Sequence, residues 1–152
     1  MIYTDSEKLK QDLETKGRII GLDLGTKTIG VAICDSDWTI ATPKLTISRR
    51  GGKTDFLAIK TIIEANKIVA IVIGLPLNMD DSESKMSELV RKFAIGLDEF
   101  LNPAKIILFD ERLSSFIAEE LMNEAGTRNN RRKNVIDQIA AGIILQGLID
   151  NF

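Results

Sequence analysis

Residues Ile68–Ile73, IVAIVI, form an unbroken apolar run that stops at Gly74. A run without polar alternation is the pattern of a strand covered on both faces, so this chain is confined to folds in which helices pack on a sheet. Lys105–Phe109, KIILF, repeats the pattern. Upstream, Arg18–Leu24 (RIIGLDL), Thr28–Cys34 (TIGVAIC) and Thr39–Ile47 read as strands separated only by Gly25-Thr26-Lys27 and by a turn at Asp35-Ser36-Asp37. Connections this short imply an antiparallel meander. Helical spacing of Phe56, Ile59, Ile62 and Ile63 predicts a helix over 55–66, and further helices are expected over 82–100, 114–124 and 135–149. The order β-β-β-α-β-α-β-α-α gives an α/β fold: a mixed five-stranded sheet, antiparallel meander first and alternating helices and strands after it, flanked by helices. Residues 18–152 form this domain. Residues 1–17 are expected to be a helical extension, with Leu9 and Leu13 as a thin apolar stripe.

Composition narrows the chemistry. The chain has no histidine and one cysteine, Cys34. Ser-His and Cys-His catalysis, histidine-bearing zinc sites and an intrachain disulfide are therefore excluded. An enzyme built from this sequence has carboxylates, amines, hydroxyls and bound metal to work with. Hydrophobic residues make up 44% and charged residues 28%, the balance of a folded globular chain. Met1–Gly17 is too charged for a secretory signal, and no apolar run approaches the roughly 20 residues of a membrane helix. A cytoplasmic protein without membrane attachment is expected. The net charge of -2 gives no bulk attraction to nucleic acid, so such binding would need local patches.

Three acids stand in places where acids are awkward. Asp23 lies between Leu22 and Leu24 inside an apolar strand; it is either a functional carboxylate or a buried one held by a lysine or by turn amides. Asp110-Glu111-Arg112 follows a buried strand, at the end where open α/β sheets place ligands. The same three residues also fit a polar strand-to-helix turn. Asp137 shares a helix face with Ala140, Ala141 and Ile144, small enough to let the helix carry it inward. With Asn134 as N-cap, it would equally be an acid favoured by the helix start. Taken together, carboxylates from two strands and a helix would repel one another, and a hard divalent cation, Mg²⁺ or Mn²⁺, removes that conflict. Without histidine, such a cation is the most economical means of activating water.

Other residues suit a phosphate-bearing polymer. Gly25, Thr26 and Lys27 offer amides, a hydroxyl and an amine beside Asp23. Asn78, in the loop after Gly74, can donate to a phosphate. Arg128, Arg131, Arg132 and Lys133 concentrate positive charge before the helix of Asp137, either as a solvated loop or as a grip on a nucleic-acid backbone. Trp38, at a hairpin tip, is expected to be exposed, more as an aromatic lying on the sheet than as a base-stacking platform. Cys34 is expected to pack as a small hydrophobe.

Four segments in order, IIGLDLGTKTIGVAICD, IVIGLPLNMD, DERLSS and VIDQIAAGIILQGLID, resemble the YqgF family, also called RuvX. These are small bacterial proteins of the ribonuclease H-like superfamily, related to the Holliday junction resolvase RuvC. The resemblance runs from about Arg18 to Phe152. It implies a ribonuclease H-like fold and a nuclease that matures the 5′ end of precursor 16S ribosomal RNA, leaving 5′-phosphate and 3′-hydroxyl ends. By motif, the catalytic and metal-holding acids fall on Asp23, Glu111 and Asp137, with Arg112 placed to orient Glu111 or contact phosphate. The chain departs from the family at Asp81, where glycine is frequent, and at Ser115, where threonine is frequent. Two alternatives share the implied substrate class: a resolvase of branched DNA, and a non-catalytic factor that binds ribosomal RNA or a small-subunit precursor. An actin-like ATPase also carries a DLGT-like turn but needs two such domains. A monomer or weak homodimer is expected.

Overall fold

A computed structural model describes residues 1–78, 80, 82–110 and 129–152, with the side chains of 129–134 set aside. In chain order these residues form β1 (Ile2–Tyr3), α1 (Ser6–Asp12), β2 (Arg18–Leu24), β3 (Thr28–Cys34), β4 (Ala41–Ser48), α2 (Gly52–Asn66), β5 (Ile68–Leu75), α3 (Lys85–Leu101), β6 (Ile106–Asp110) and α4 (Asn129–Asp150). The helix expected over 114–124 lies outside the described residues.

The sheet runs β1-β6-β5-β2-β3-β4. β1, β6, β5 and β2 are mutually parallel, and β3 and β4 return antiparallel to complete the meander. The mixed α/β architecture is thus the expected one, with six strands where five were anticipated. The extra strand is Ile2–Tyr3, paired with Ile106–Ile107. Two residues carry no periodicity, so nothing in the sequence marks them as a strand.

Alternation along the inner strands sends side chains into two cores. Ile20, Leu22 and Leu24 of β2 join Ile71, Ile73 and Leu75 of β5 beneath α2 and α3, where Ile59, Val90, Phe93 and Leu97 cover them. Ile19, Ala70, Val72 and Ile107 face the other way, toward Leu9 of α1 and Ala141, Leu145 and Leu148 of α4. This two-sided burial is the physical content of the IVAIVI run. Cys34 lies in the second core, where its Sγ accepts the Ile19 amide at 3.3 Å, as its expected packing role requires. Burial pushes its thiol pKa up.

α4 lies close against the meander because β2 and β3 present glycine beneath it. A Cβ on Gly21 would stand 2.8 Å from Leu145 Cβ, and one on Gly30 would stand 2.0 Å from the Asp137 carbonyl oxygen. Gln138 and Gln146 extend the contact to the edge strand: Gln138 Nε2 donates to Thr46 Oγ1 at 3.1 Å, and Gln146 Oε1 accepts the Ala41 amide at 2.9 Å. Among the described residues, no helix is long and apolar enough to cross a membrane.

α1 is shorter than the sequence implies but more firmly seated. Leu9 is fully buried, and the Tyr3 hydroxyl donates to Asp12 Oδ2 at 2.7 Å. Leu9→Ala should lower the unfolding free energy by about 2–5 kcal/mol in a urea titration, as for other buried leucines. Burial, reinforced by the Asp12 carboxylate, raises the Tyr3 pKa to about 12. The folded state therefore holds the phenolic proton more tightly than the unfolded chain. Stability from this group is complete below pH 10 and is lost as the pH rises toward 12. Thermal melts across that window should show the decline, and Tyr3→Phe should flatten it.

Candidate active site

The parallel strands β2, β5 and β6 end on the same edge of the sheet, and the antiparallel β3 begins there. Asp23 and the Gly25–Lys27 turn, Leu75 with the loop after it, Asp110, and Thr28 therefore share one rim. The turn is tight: the Gly25 amide donates to the Thr28 carbonyl at 2.8 Å, and Thr26 and Lys27 are exposed at its tip.

Asp23 is half-buried and is the cross-strand partner of Gly30. Directly paired residues point to the same face, and here that face is the one covered by α4. Asp137 Cβ lies 3.0 Å from the position a Gly30 Cβ would take. The Asp23 Cβ stands about 5 Å from that same position, as cross-strand neighbours do. A strand and a helix thus each place an acid beside Gly30, whose missing side chain gives the helix room to approach. Asp137 is oriented by Thr28, whose Oγ1 donates to Asp137 Oδ2 at 2.6 Å.

α4 begins at Asn129, well before the Asn134 cap expected from sequence. Asp137 is thus carried inside the helix and does not cap its start, which removes the capping explanation for an acid at this position. Arg131, Arg132 and Lys133 belong to the backbone of α4 and not to a loop. Glu111, Arg112 and Arg128 lie outside the described residues. Asp110, the residue before Glu111, is exposed at the end of β6, paired in register with Leu75. Among the described residues, no cluster of three or more carboxylates or thiolates forms a metal-holding group. The described part of the expected triad is the Asp23–Asp137 pair.

The loop after β5 is organised by its own side chains. Leu77 bridges to Glu83, and the Asn78 amide donates to the Ser82 carbonyl at 3.0 Å. Asn78 Nδ2 donates to Ser82 Oγ at 2.9 Å and reaches the Glu83 carbonyl at 3.5 Å, so Asn78 shapes this loop. The Ser82 hydroxyl and amide both donate to Asp80, holding its carboxyl below the usual range. Trp38 is half-buried at the far end of the meander, donating to the Gly17 carbonyl at 2.7 Å and packed edge-on against Phe152. It lies on the structure as the sequence suggested, away from the acidic pair, and is less exposed than expected.

Sequence reasoning missed the residues that hold the turn. Arg49 follows β4 and donates through its backbone amide to the Lys27 carbonyl at 2.8 Å and through Nη1 to the Gly25 carbonyl at 3.0 Å. Its Nε donates to Asp55 Oδ2 at 3.2 Å. Asp55, only 1% exposed, also accepts the amides of Arg50 and Gly51, which the left-handed backbone at Gly51 and Gly52 turns inward. The one sequence signal is an acid in the first turn of a helix, just after the basic segment Arg49–Lys53.

Gly30→Ala should be severe, because its new methyl group would collide with helix backbone and not with a movable side chain. Urea denaturation is expected to show a loss of about 3 kcal/mol or more, with α4 displaced from the sheet.

Comparison with known proteins shows the family and the fold. A family model described as RuvX, Holliday junction resolvase, matches residues 17–151. A Cereibacter sphaeroides protein named "Putative pre-16S rRNA nuclease" is 47% identical over 150 residues, covering 99% of this chain and 93% of that protein. A Zymomonas mobilis protein of the same name is 42% identical, covering 94% and 86%. Among solved structures, Thermus thermophilus RuvC in complex with a Holliday junction substrate aligns with a TM-score of 0.52 at 10% identity, covering 89% of this chain and 95% of that one. The yeast mitochondrial Holliday junction resolvase Ydc2 aligns at 0.50, covering 95% and 85%. At such low identity these two establish the shared ribonuclease H-like fold. With nearly the whole length matched by one family model and by close relatives, the chain belongs to the RuvX family.

Proposed function

We propose that this nuclease matures the 5′ end of precursor 16S ribosomal RNA, using a divalent cation held by Asp23, Asp137 and Glu111. The observation that supports the reading is the position of Asp23 and Asp137, each beside Gly30, near the strand-end rim. The donor set fits Mg²⁺ or Mn²⁺, being hard carboxylate oxygens in a chain without imidazole. Glu111 enters by its place in the family motif, directly after β6.

When bound, such a cation acts as a Lewis acid that lowers the pKa of water and offsets charge at the phosphate. The protein's own contribution is positioning. Thr28 holds one oxygen of Asp137, fixing the rotamer of a carboxylate that would otherwise swing on its helix. The Gly25–Lys27 turn presents backbone and the Lys27 ammonium on the same rim, where a phosphodiester lying over Asp23 gains compensating charge. Arg112, Arg128, Arg131, Arg132 and Lys133 would extend that attraction along the strand, as their sequence positions around Glu111 and Asp137 imply. Asn78 would act through the shape of its loop.

Ribosomal RNA is favoured as substrate by the name that the close relatives carry. The description of the family model favours a second substrate, branched DNA. The two are separated by one assay on purified protein, with a precursor 16S 5′ segment and a four-way DNA junction offered side by side in Mn²⁺. Cleavage of the RNA alone is expected, abolished by chelator. Asp23→Asn and Asp137→Asn should each reduce it by at least about 100-fold, the scale of losing a charge-stabilising group, while the far-ultraviolet circular dichroism is unchanged. Full activity in both variants would sink the assignment. Cleavage of the junction alone would move it to DNA.

A further inference from the structure

The hydrogen bonds of Arg49 engage only part of its guanidinium. Nε is taken by Asp55 and Nη1 by Gly25, whereas Nη2 makes no hydrogen bond to the described residues. The guanidinium also lies over an aromatic face, its central carbon 5.4 Å from the ring centre of Phe93. Its side chain keeps 23% of its surface exposed. Beside it opens a cavity of about 230 Å³ lined by Arg49, Gly52, Phe56, Leu89, Lys92 and Phe93. Two cations and no acid line this cavity, and Lys92 forms no ion pair with the described residues.

An arginine held by two hydrogen bonds and an aromatic ring, partly exposed and lining a cavity, is suited to bind a phosphate with little further loss of side-chain freedom. The location gives the phosphate an identity. Arg49 grips the Gly25–Lys27 turn, and that turn continues directly from Asp23. A strand whose phosphodiester lay at the acidic pair would pass over the turn to reach this cavity on the opposite face of the sheet.

We propose that Arg49 and Lys92 form a second phosphate subsite, which binds a phosphodiester of the substrate strand beyond the Gly25–Lys27 turn. The subsite rests on the nuclease reading for its substrate but makes a separate claim about binding. Asp55 is its positioning residue: buried and ion-paired, it keeps Arg49 aimed and does not touch the strand.

The test is fluorescence anisotropy of a labelled single-stranded RNA, titrated with full-length protein in chelator so that cleavage does not intervene. Lys92→Gln and Arg49→Lys are compared with wild type and with Lys67→Gln, an exposed lysine just beyond the opposite end of α2. Each subsite variant should weaken binding several-fold. Lys92→Gln, which removes a charge, should also reduce the slope of log affinity against log salt by about 0.7, the loss of one phosphate contact on a single strand. Arg49→Lys keeps its charge and should leave the slope nearly unchanged. Lys67→Gln should bind as wild type does. Lys92 is exposed and forms no hydrogen bond or ion pair with the described residues, so its variant remains informative even if Arg49→Lys is unstable. Unchanged affinity and slope in Lys92→Gln would overturn the subsite, as would equal weakening by Lys67→Gln or no RNA binding by wild type. Parallel cleavage in Mn²⁺ keeps the two claims apart. RNA cleavage with unaltered binding in the variants removes the subsite alone. Weakened binding in the variants with no cleavage by wild type removes the nuclease reading alone.

Discussion

The contact on which the rest of the structure depends is the approach of α4 to the glycines of β2 and β3. Main chain rests on main chain there: the Asp137 carbonyl lies where a Gly30 side chain would begin, and Ala141 and Leu145 press on Gly21. Packing at this distance fixes the helix in both translation and rotation, because close-packed surfaces of small residues admit few alternative registers. Asp137 has its place because of that fit. A helix half a turn away would aim the same carboxylate into solvent or into the apolar core.

The rim is built by coupling between elements distant in sequence. Asp55 orders the loop before α2 and holds Arg49; Arg49 holds both ends of the Gly25–Lys27 segment; that turn sets the start of β3, from which Thr28 reaches Asp137. The chain of bonds joins a buried acid on one side of the sheet to the acidic pair on the other. Buried ion pairs of this kind contribute little net stability, since removing charges from water offsets their attraction. Their value here lies in orientation.

The parts of the fold that rest on periodicity were legible in advance. IVAIVI and KIILF are strands because two-sided burial leaves no polar positions, and the meander follows from turns too short for any other connection. Asp23 stands out as a candidate because a charge inside RIIGLDL conflicts with its surroundings, and the structure leaves it half-buried opposite Gly30. Ile2–Tyr3 was not legible, since strand pairing of two residues is decided by the partner it meets and not by its own pattern. The start of α4 was misplaced because Arg131–Lys133 lack apolar spacing, and helix ends governed by charge and distant contacts are weakly marked. In sequence, Arg49 is one charge in the basic segment Arg49–Lys53. Its significance comes from three bonds to Gly25, Lys27 and Asp55, of which the contacts to the turn span more than twenty residues of sequence. No local pattern encodes such contacts.

The seating of Cys34 has a practical consequence. Its sulfur is sealed in the core shared by β2, β3 and α4, accepts a backbone amide, and has its ionisation suppressed by burial. A thiol in that condition is a poor nucleophile toward alkylating reagents until the layers separate. As the chain holds no other cysteine, the rate of thiol labelling becomes a built-in clock for the opening of α4 from the sheet, read without introducing any probe into the molecule.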